Sequence, residues 1–393
     1  MSYYFIELYM QKNIKTIGVI GGGQLGKMLI EHGIKWNQKF SVLESVLEPS
    51  ICNNLTNQTI RGSLHDPESI RKLADISDVI TIEIENINVD ELLILEESGK
   101  EIIPSPKILQ IIQDKGKQKI FLKENNLPVP PFTIYHCYDE IKDILSNHHS
   151  HDKFVIKKCV GGYDGHGVMV LSKNNYENAR MFEGKCLFEE WIECQKELSI
   201  IVAKDRYGNI KCYPVVEMKI NDKHMLDYMM CPAEIHSDIE ENVKNIAIST
   251  INKLNGIGVF AIEMFLTKNN TIYINEISPR CHNSGHYTIE GCKTSQYEQL
   301  LRIILGYPLG STEMIRPSIT MNLLGPKNYT GPYELQNLSE LMMIDDLHIH
   351  HYGKQVSKPD RKLGHITILL DSHNLSDDYV NNIKKLATVA QKN

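Results

Sequence analysis

Short apolar runs, separated by polar and glycine-rich stretches, set the organisation of the chain. Thr16–Ile20 is an apolar run of strand length, followed by Gly21-Gly22-Gly23 and a helical stretch from Gln24 to about Lys35. Residues 40–43 and 78–82 repeat the apolar run. Strand and helix therefore alternate, and the first ~100 residues read as a parallel α/β unit. Pro104-Ser105-Pro106 marks its end. A polar helix is predicted from about Lys107 to Asn125, stopped by Pro128, Pro130 and Pro131. Residues 154–158, 167–171 and 186–192 read as strands, with a glycine-rich connection between the first two. Residues 197–204 and 210–220 form the next pair, joined at Arg206-Tyr207-Gly208. A helix over 239–254 and strands at 259–266 and 271–277 follow. From about Ser318 the tail alternates short strands and turns, with no internal repeat.

Composition narrows the function classes. The 393 residues suffice for two or three domains, and the apolar and charged shares are those of an ordinary globular chain. A net charge of -7 without a long basic stretch argues against nucleic acid or an anionic membrane as partner. No apolar run approaches the ~20 residues that span a bilayer. The start, MSYYFIELYM, carries Glu7 and lacks a basic segment and a cleavage site, so it reads as a short extension. Nine dispersed cysteines without a CxxC pair fit reduced thiols in a cytoplasm. Histidines cluster at His148-His149-Ser150-His151, which reads as a solvated loop, and at His348-Ile349-His350-His351; a zinc site needs more ligands at suitable spacing.

Three features carry candidate chemistry. Gly21-x-Gly23-x-x-Gly26 follows a strand and opens a helix, and Glu44 ends the next strand, where a dinucleotide fold places its ribose-binding acid. An NAD-dependent oxidoreductase and a ligand-free tight turn both fit this pattern. Asn269-Asn270 suits a two-residue hairpin turn, which sets Glu263 directly opposite Glu276. Ala261, Phe265 and Ile274 make that face apolar, so the facing charges call for a cation such as magnesium, unless both acids are simply solvated. Lys157 and Lys158 end a strand before Gly161-Gly162-Tyr163-Asp164-Gly165-His166-Gly167, a backbone able to close over phosphates or to serve as an ordinary hairpin loop.

Together these pieces resemble one family. The segments Gly21-Gly22-Gly23-Gln24-Leu25-Gly26, Glu83-Ile84-Glu85-Asn86, the glycine loop at 161–167, and Asn275-Glu276-Ile277-Ser278-Pro279-Arg280-Cys281-His282-Asn283-Ser284-Gly285-His286 occur in its order. So do Thr294-Ser295-Gln296-Tyr297-Glu298, Pro308-Leu309-Gly310, Met321-Asn322-Leu323-Leu324-Gly325 and Arg361-Lys362-x-Gly364-His365. From about residue 14 onward the chain resembles the N5-carboxyaminoimidazole ribonucleotide synthetases, ATP-grasp carboxylases of de novo purine synthesis. The resemblance implies an α/β and α+β, three-domain ATP-grasp fold. Its parts are a Rossmann-like (preATP-grasp) domain at 1–106, a linker helix with the small lid domain at 107–192, and a large domain with a β-rich C-terminal subdomain at 193–393. It also implies a cytoplasmic homodimer.

The implied reaction joins 5-aminoimidazole ribonucleotide, bicarbonate and ATP, with magnesium or manganese. By this resemblance Lys115 and Lys157 contact the nucleotide, and Gly162, Tyr163, Asp164, Gly165, His166, Gly167 and Val168 cover its phosphates. Glu189, Glu190, Trp191 and Ile192 hold the adenine, Glu197 the ribose, and Ile220 and Asn275 lie beside them. Glu263 and Glu276 carry the metal. Gln24, Leu25, Glu83, Tyr163, Asp164, Arg280, His282, Asn283, Ser284, Lys354, Arg361 and Lys362 line the substrate and bicarbonate side, with Arg280, Lys157, Asp164 and His282 as the catalytic set. Lys354 and Arg361, in a basic stretch that charge alone reads equally as a solvated loop, take the substrate's 5′-phosphate. The chain departs from the family pattern at Lys115 (usually arginine), Ile220 (histidine), Cys281 (proline), Ile82 and Ile84 (aromatics) and Asp360 (glycine). A formate-using ribonucleotide transformylase is the nearest alternative, and a nucleotide-binding regulator the non-enzymatic one.

Overall fold

The computed structural model describes residues 14–146, 152–162, 167–182, 184–220, 226–371 and 377–392. The first sheet contains β1 (Thr16–Ile20), β2 (Lys39–Glu44), β3 (Gln58–Arg61), β4 (Val79–Ile82) and β5 (Glu101–Ile103), all parallel, in the order β3-β2-β1-β4-β5. The central strands β1 and β4 are apolar apart from Thr16 and Thr81 because both faces are covered. Ile17, Val19 and Val42 pack with the helix Gln24–Ile34, and through it with Leu300, Leu301 and Ile304 of the helix Gln296–Leu305. Ile20, Leu43, Ile80 and Ile82 pack with the helices Pro67–Asp75 and Val89–Glu97. Those two helices start where Asp66 and Asn88 accept the amides of Ser69 and Glu91.

The polar stretch read as one helix is two, Pro106–Ile112 and Lys115–Glu124. Asp114 breaks it by accepting the Lys117 amide and capping the second segment. Next come β6 (Phe132–Tyr135), β7 (Lys153–Lys158), β8 (Val168–Ser172) and β9 (Cys186–Glu190), an antiparallel sheet in the order β6-β9-β7-β8. A nine-stranded sheet takes up β10 (Cys194–Lys204), β11 (Ile210–Cys212), β12 (Val216–Ile220), β13 (Leu226–Cys231), β14 (Gly258–Thr267), β15 (Ile272–Ser278) and β16 (Ser318–Leu324). Its order is β15-β14-β10-β12-β13-β16-β19-β18, with β11 on β10. Between β16 and the last two members lies β17 (Tyr333–Leu335), which pairs outside this sheet with β20 (Val389–Gln391). The last members are β18 (Leu347–His351) and β19 (Lys362–Leu369). The single strand expected over 210–220 is divided between β11 and β12 at Pro214, where no amide can join a ladder.

The β14–β15 hairpin differs from its sequence reading in two compensating ways. The loop is Lys268-Asn269-Asn270, one residue longer than expected: the Thr267 amide donates to Thr271 O at 2.9 Å, and Asn270 takes φ 61°. Leu266 therefore faces Ile272, and Met264 faces Ile274. The register then shifts at a bulge containing Asn275, so that Glu263 faces Glu276 after all. The longer loop displaces the three pairs nearest it by one residue, and the bulge restores the Glu263–Glu276 pair and the two pairs beyond it.

This geometry gives a direct expectation. Asn270→Val lowers stability by about 1–2 kcal/mol and Asn270→Gly has little effect, because only the branched side chain opposes a left-handed backbone. Denaturant unfolding of the two variants measures it; equal losses contradict the loop assignment.

Candidate active site

The glycine loop holds acids of the chain itself. Gly23 and Gly26 donate their amides to the two oxygens of Glu83, each at 2.7 Å. A Cβ on Gly23 meets Glu83 Oε1 at 2.3 Å, and one on Gly22 meets Glu44 Oε2 at 2.1 Å. The glycines thus allow two carboxylates to approach the backbone. Glu44 is buried and paired with Arg61 at 2.9 Å. Helix-terminal amides that a dinucleotide phosphate requires are taken by Glu83, which removes the structural case for NAD. Burial raises the Glu83 carboxyl above its usual range, against the Gly26 and Gly23 amides and the charges of Arg280 and Lys354. Gln24 and Leu25 open the helix above this loop.

Around Glu263 and Glu276 two sheets and one helix contribute charged groups. Lys115, at the start of its helix, hydrogen-bonds Glu276. Lys157, at the end of β7, donates to Asn275 Oδ1 at 2.9 Å and lies 2.5 Å from Glu189 Oε2. Glu189 is buried on β9; Glu190 ends that strand, Trp191 stacks under Lys153 with 5.3 Å from ammonium to ring, and Ile192 leads into β10. Glu197, on β10, is half-buried and its carboxyl is raised by burial. Burial, then Glu276 and Glu197, push the Glu263 carboxyl well above its usual range. Burial acts the same way on Glu276, but Lys115 outweighs it and holds that carboxyl low. The pair is therefore split, with one acid resisting ionisation at neutral pH.

The segment after β15 closes the other side. Arg280 pairs with Glu85 at 2.9 Å and donates to its neighbour Cys281 O at 3.0 Å. His282 Nε2 lies 3.8 Å from Glu263, and its Nδ1 is 2.9 Å from Ser284 Oγ, which in turn lies 2.7 Å from Ser199 Oγ. Asn283 Oδ1 is held by His286 at 3.1 Å. Lys354 donates to Lys362 O at 2.9 Å, and the charge of Lys362 reaches Glu263. Burial, then Arg361, lower the Lys354 ammonium to about 8. Arg361 and Lys358 both engage Glu48, the latter at 2.7 Å. Lys354 also feels Glu83 and Glu48, so the basic stretch packs against the end of the first sheet.

The structure thus gathers Lys115, Lys157, Glu189, Asn275, Glu263 and Glu276 in one cluster, with His282 beside it. Lys354, Arg361 and Lys362 form a second group, in which Lys354 feels Glu83 and Arg361 engages Glu48. Ile220 adds only apolar surface, packed against the core at the end of β12. Gly162, Gly167 and Val168 flank the glycine loop, Gly167 with φ 78°; Tyr163, Asp164, Gly165 and His166 lie outside the described residues, as do His148, His149 and His151. On β18, His350 stacks on His365 and pairs with Glu290, and His351 meets Tyr333. Sequence reasoning missed Lys119, whose spacing of four from Lys115 was its only signal. It also missed the pairing of Arg280 with Glu85, and Glu48, which nothing in the local pattern marks.

An ATP-grasp ligase is the class that this arrangement defines: a lid sheet, a large sheet bearing paired carboxylates, and lysines between them. Residues 120–297 match the ATP-grasp domain model, 14–113 the ribonucleotide synthetase preATP-grasp domain, and 318–378 the phosphoribosylaminoimidazole carboxylase C-terminal domain. The chain is 35% identical to the N5-carboxyaminoimidazole ribonucleotide synthase of Bacillus subtilis over 90% of its own length and 91% of that protein. Its fold superposes on the N5-carboxyaminoimidazole ribonucleotide synthetase of Thermotoga maritima with a TM-score of 0.87 at 39% identity, covering 96% of this chain and 100% of the other. The Aspergillus clavatus enzyme, solved with ADP and 5-aminoimidazole ribonucleotide, gives 0.83 at 30% identity over 95% and 98%. The chain belongs to the N5-carboxyaminoimidazole ribonucleotide synthase family. Among the described residues no helix is long and apolar enough to cross a membrane.

The split carboxylates carry a stability signature. Folding raises the Glu263 carboxyl, so its contribution is fully present at low pH and is lost as pH rises through the raised value. In chelator-treated protein, Glu263→Gln raises Tm at pH 8 by roughly 2 °C or more and leaves it nearly unchanged at pH 4, below the ordinary glutamate range. A loss of Tm at pH 8 contradicts the facing-charge account.

Proposed function

We propose that the chain uses ATP to carboxylate 5-aminoimidazole ribonucleotide with bicarbonate, forming N5-carboxyaminoimidazole ribonucleotide, ADP and phosphate by way of carboxyphosphate, in de novo purine synthesis. The observation that carries this reading is the opposition of Glu263 and Glu276 beside Lys115 and Lys157, in a chain of this family. Two facing carboxylates, one of them raised, suit a magnesium ion, with manganese as a substitute. Such an ion supplies charge neutralisation for the phosphates.

The chain's own residues do the rest. Lys157, steered by Asn275, and Lys115 meet the nucleotide phosphates as point charges. Residues 189–192 form the adenine edge at the lid crease, Glu189 through its main chain because both of its carboxylate oxygens face lysines; Glu197 accepts the ribose hydroxyls, and residues 162–168 exclude water over the phosphates. Bicarbonate is a poor electrophile, and positioning and charge dominate phosphoryl transfer to it. Arg280, fixed by Glu85, and His282, fixed by Ser284, face the oxyanion side with Asn283. Lys354, Arg361 and Lys362 take the substrate's 5′-phosphate, for which Arg361 must give up part of its hold on Glu48. Gln24, Leu25 and Glu83 border the same crevice. A division at residues 106 and 192, a homodimer and a cytoplasmic setting belong to the proposal through the family.

A coupled ADP assay in carbon-dioxide-depleted buffer tests it. ADP release with carboxylated product, identified by mass, requires 5-aminoimidazole ribonucleotide and bicarbonate together, and formate does not replace bicarbonate. A formylated product from glycinamide ribonucleotide instead makes the protein a transformylase.

A further inference from the structure

Lys119 is a lysine that the reaction as described does not use, yet it is 2% exposed. It sits one helical turn after Lys115. Its ammonium lies 2.7 Å from Glu189 Oε1 on β9 and donates to Ile274 O at 3.1 Å on β15. Ile274 is the residue immediately before bulged Asn275. The other oxygen of Glu189 faces Lys157 at 2.5 Å. One carboxylate is thus shared by two buried lysines that come from different elements. Burial lowers Lys119 to about 8, and the two lysines together hold Glu189 down to about 2 despite its burial. The neighbouring residue Gln118 ties the same helix to β15, accepting the Ile277 amide at 3.0 Å. The linker helix, the lid strand and the carboxylate hairpin therefore meet at Lys119.

Charge counting gives this contact a consequence. A single lysine against Glu189 makes a neutral pair, whereas two lysines leave one positive charge over. Buried charges in low dielectric interact strongly, so the second lysine decides how much of Lys157 is quenched. We propose that Lys119 is a positioning residue for nucleotide binding: it takes up half of Glu189 and braces β9 against the β15 bulge, which leaves Lys157 cationic and aimed past Asn275. The inference rests on the reading of Lys157 as a nucleotide contact.

A double-mutant cycle tests it on the full-length enzyme. Lys157→Met is the control for the underlying reading: it must raise the KM for ATP, and if it does not, the reading of Lys157 fails first. Given that control, Lys119→Met raises the ATP KM about tenfold, the size of a close charge coupling, with the KM for 5-aminoimidazole ribonucleotide changed less than twofold. Adding Glu189→Gln to Lys119→Met removes the unbalanced carboxylate and returns the ATP KM most of the way to wild type. A brace without electrostatic effect on Lys157 gives no such recovery and overturns the proposal. So does an equal rise in both KM values. Should Lys119→Met alone fail to fold, Glu189→Gln is compared with the double variant, which replaces a buried ion pair by neutral groups and is expected to fold. The double variant then melts higher than Glu189→Gln, where two buried lysines lack their counter-charge, and binds ATP within about threefold of wild type. A double variant that melts no higher, or binds ATP as poorly as Lys157→Met, contradicts the shared-carboxylate account.

Discussion

The opposition of Glu263 and Glu276 across two antiparallel strands is the constraint from which the rest of the site follows. Like charges at this spacing oppose the pairing that creates them. The protein keeps them together with a bulge at Asn275, a lysine against one member, and a protonation bias on the other. The cations around the pair offset its charge. Lys115 settles Glu276, while Lys157 is drawn to Asn275 and Glu189, and His282 stands beside Glu263.

These groups come from separate parts of the chain, and the packing explains how they meet. The helix that begins at Lys115 is fixed to the lid, through the Lys115 amide on Cys159 O, and to β15 through Gln118. The first sheet is joined to the rest where the helices Gln24–Ile34 and Gln296–Leu305 share a core. That junction places Glu85 against Arg280 and Glu83 toward Lys354. The acids of the first sheet thereby hold the cations of the later segments in position. Glu83 does so while anchored to the glycine loop, so a motif shaped like a nucleotide cradle serves to orient a carboxylate.

Much of this was legible in the sequence because it rests on local rules. Alternating apolar runs gave the parallel sheet, and the spacing of Glu263 and Glu276 about an Asn-Asn turn gave their pairing. That pairing came out through two errors that cancel, since neither the third loop residue nor the bulge has a local signature as strong as the turn itself. The family motifs singled out the residues after Glu276 and in the basic tail, and the structure brings Arg280 to Glu85 and Lys354 toward Glu83. Long-range contacts were not legible: Asp114 as a helix breaker, Lys119 under Glu189, Glu48 on Arg361. Each depends on which distant element packs alongside, and hydrophobic periodicity carries no record of that. A lysine on a polar helix looks solvated until a lid strand covers it.

The proposed divalent-cation site is formed by the facing carboxylates and completed by nucleotide. Electron paramagnetic resonance of free manganese, titrated with protein and ADP, measures it without turnover. Wild-type protein is expected to withdraw manganese from solution when ADP is present, and Glu263→Gln and Glu276→Gln each to weaken that uptake by about tenfold or more, the loss of one charged ligand. Unchanged uptake by both variants, at wild-type ADP affinity, contradicts the account.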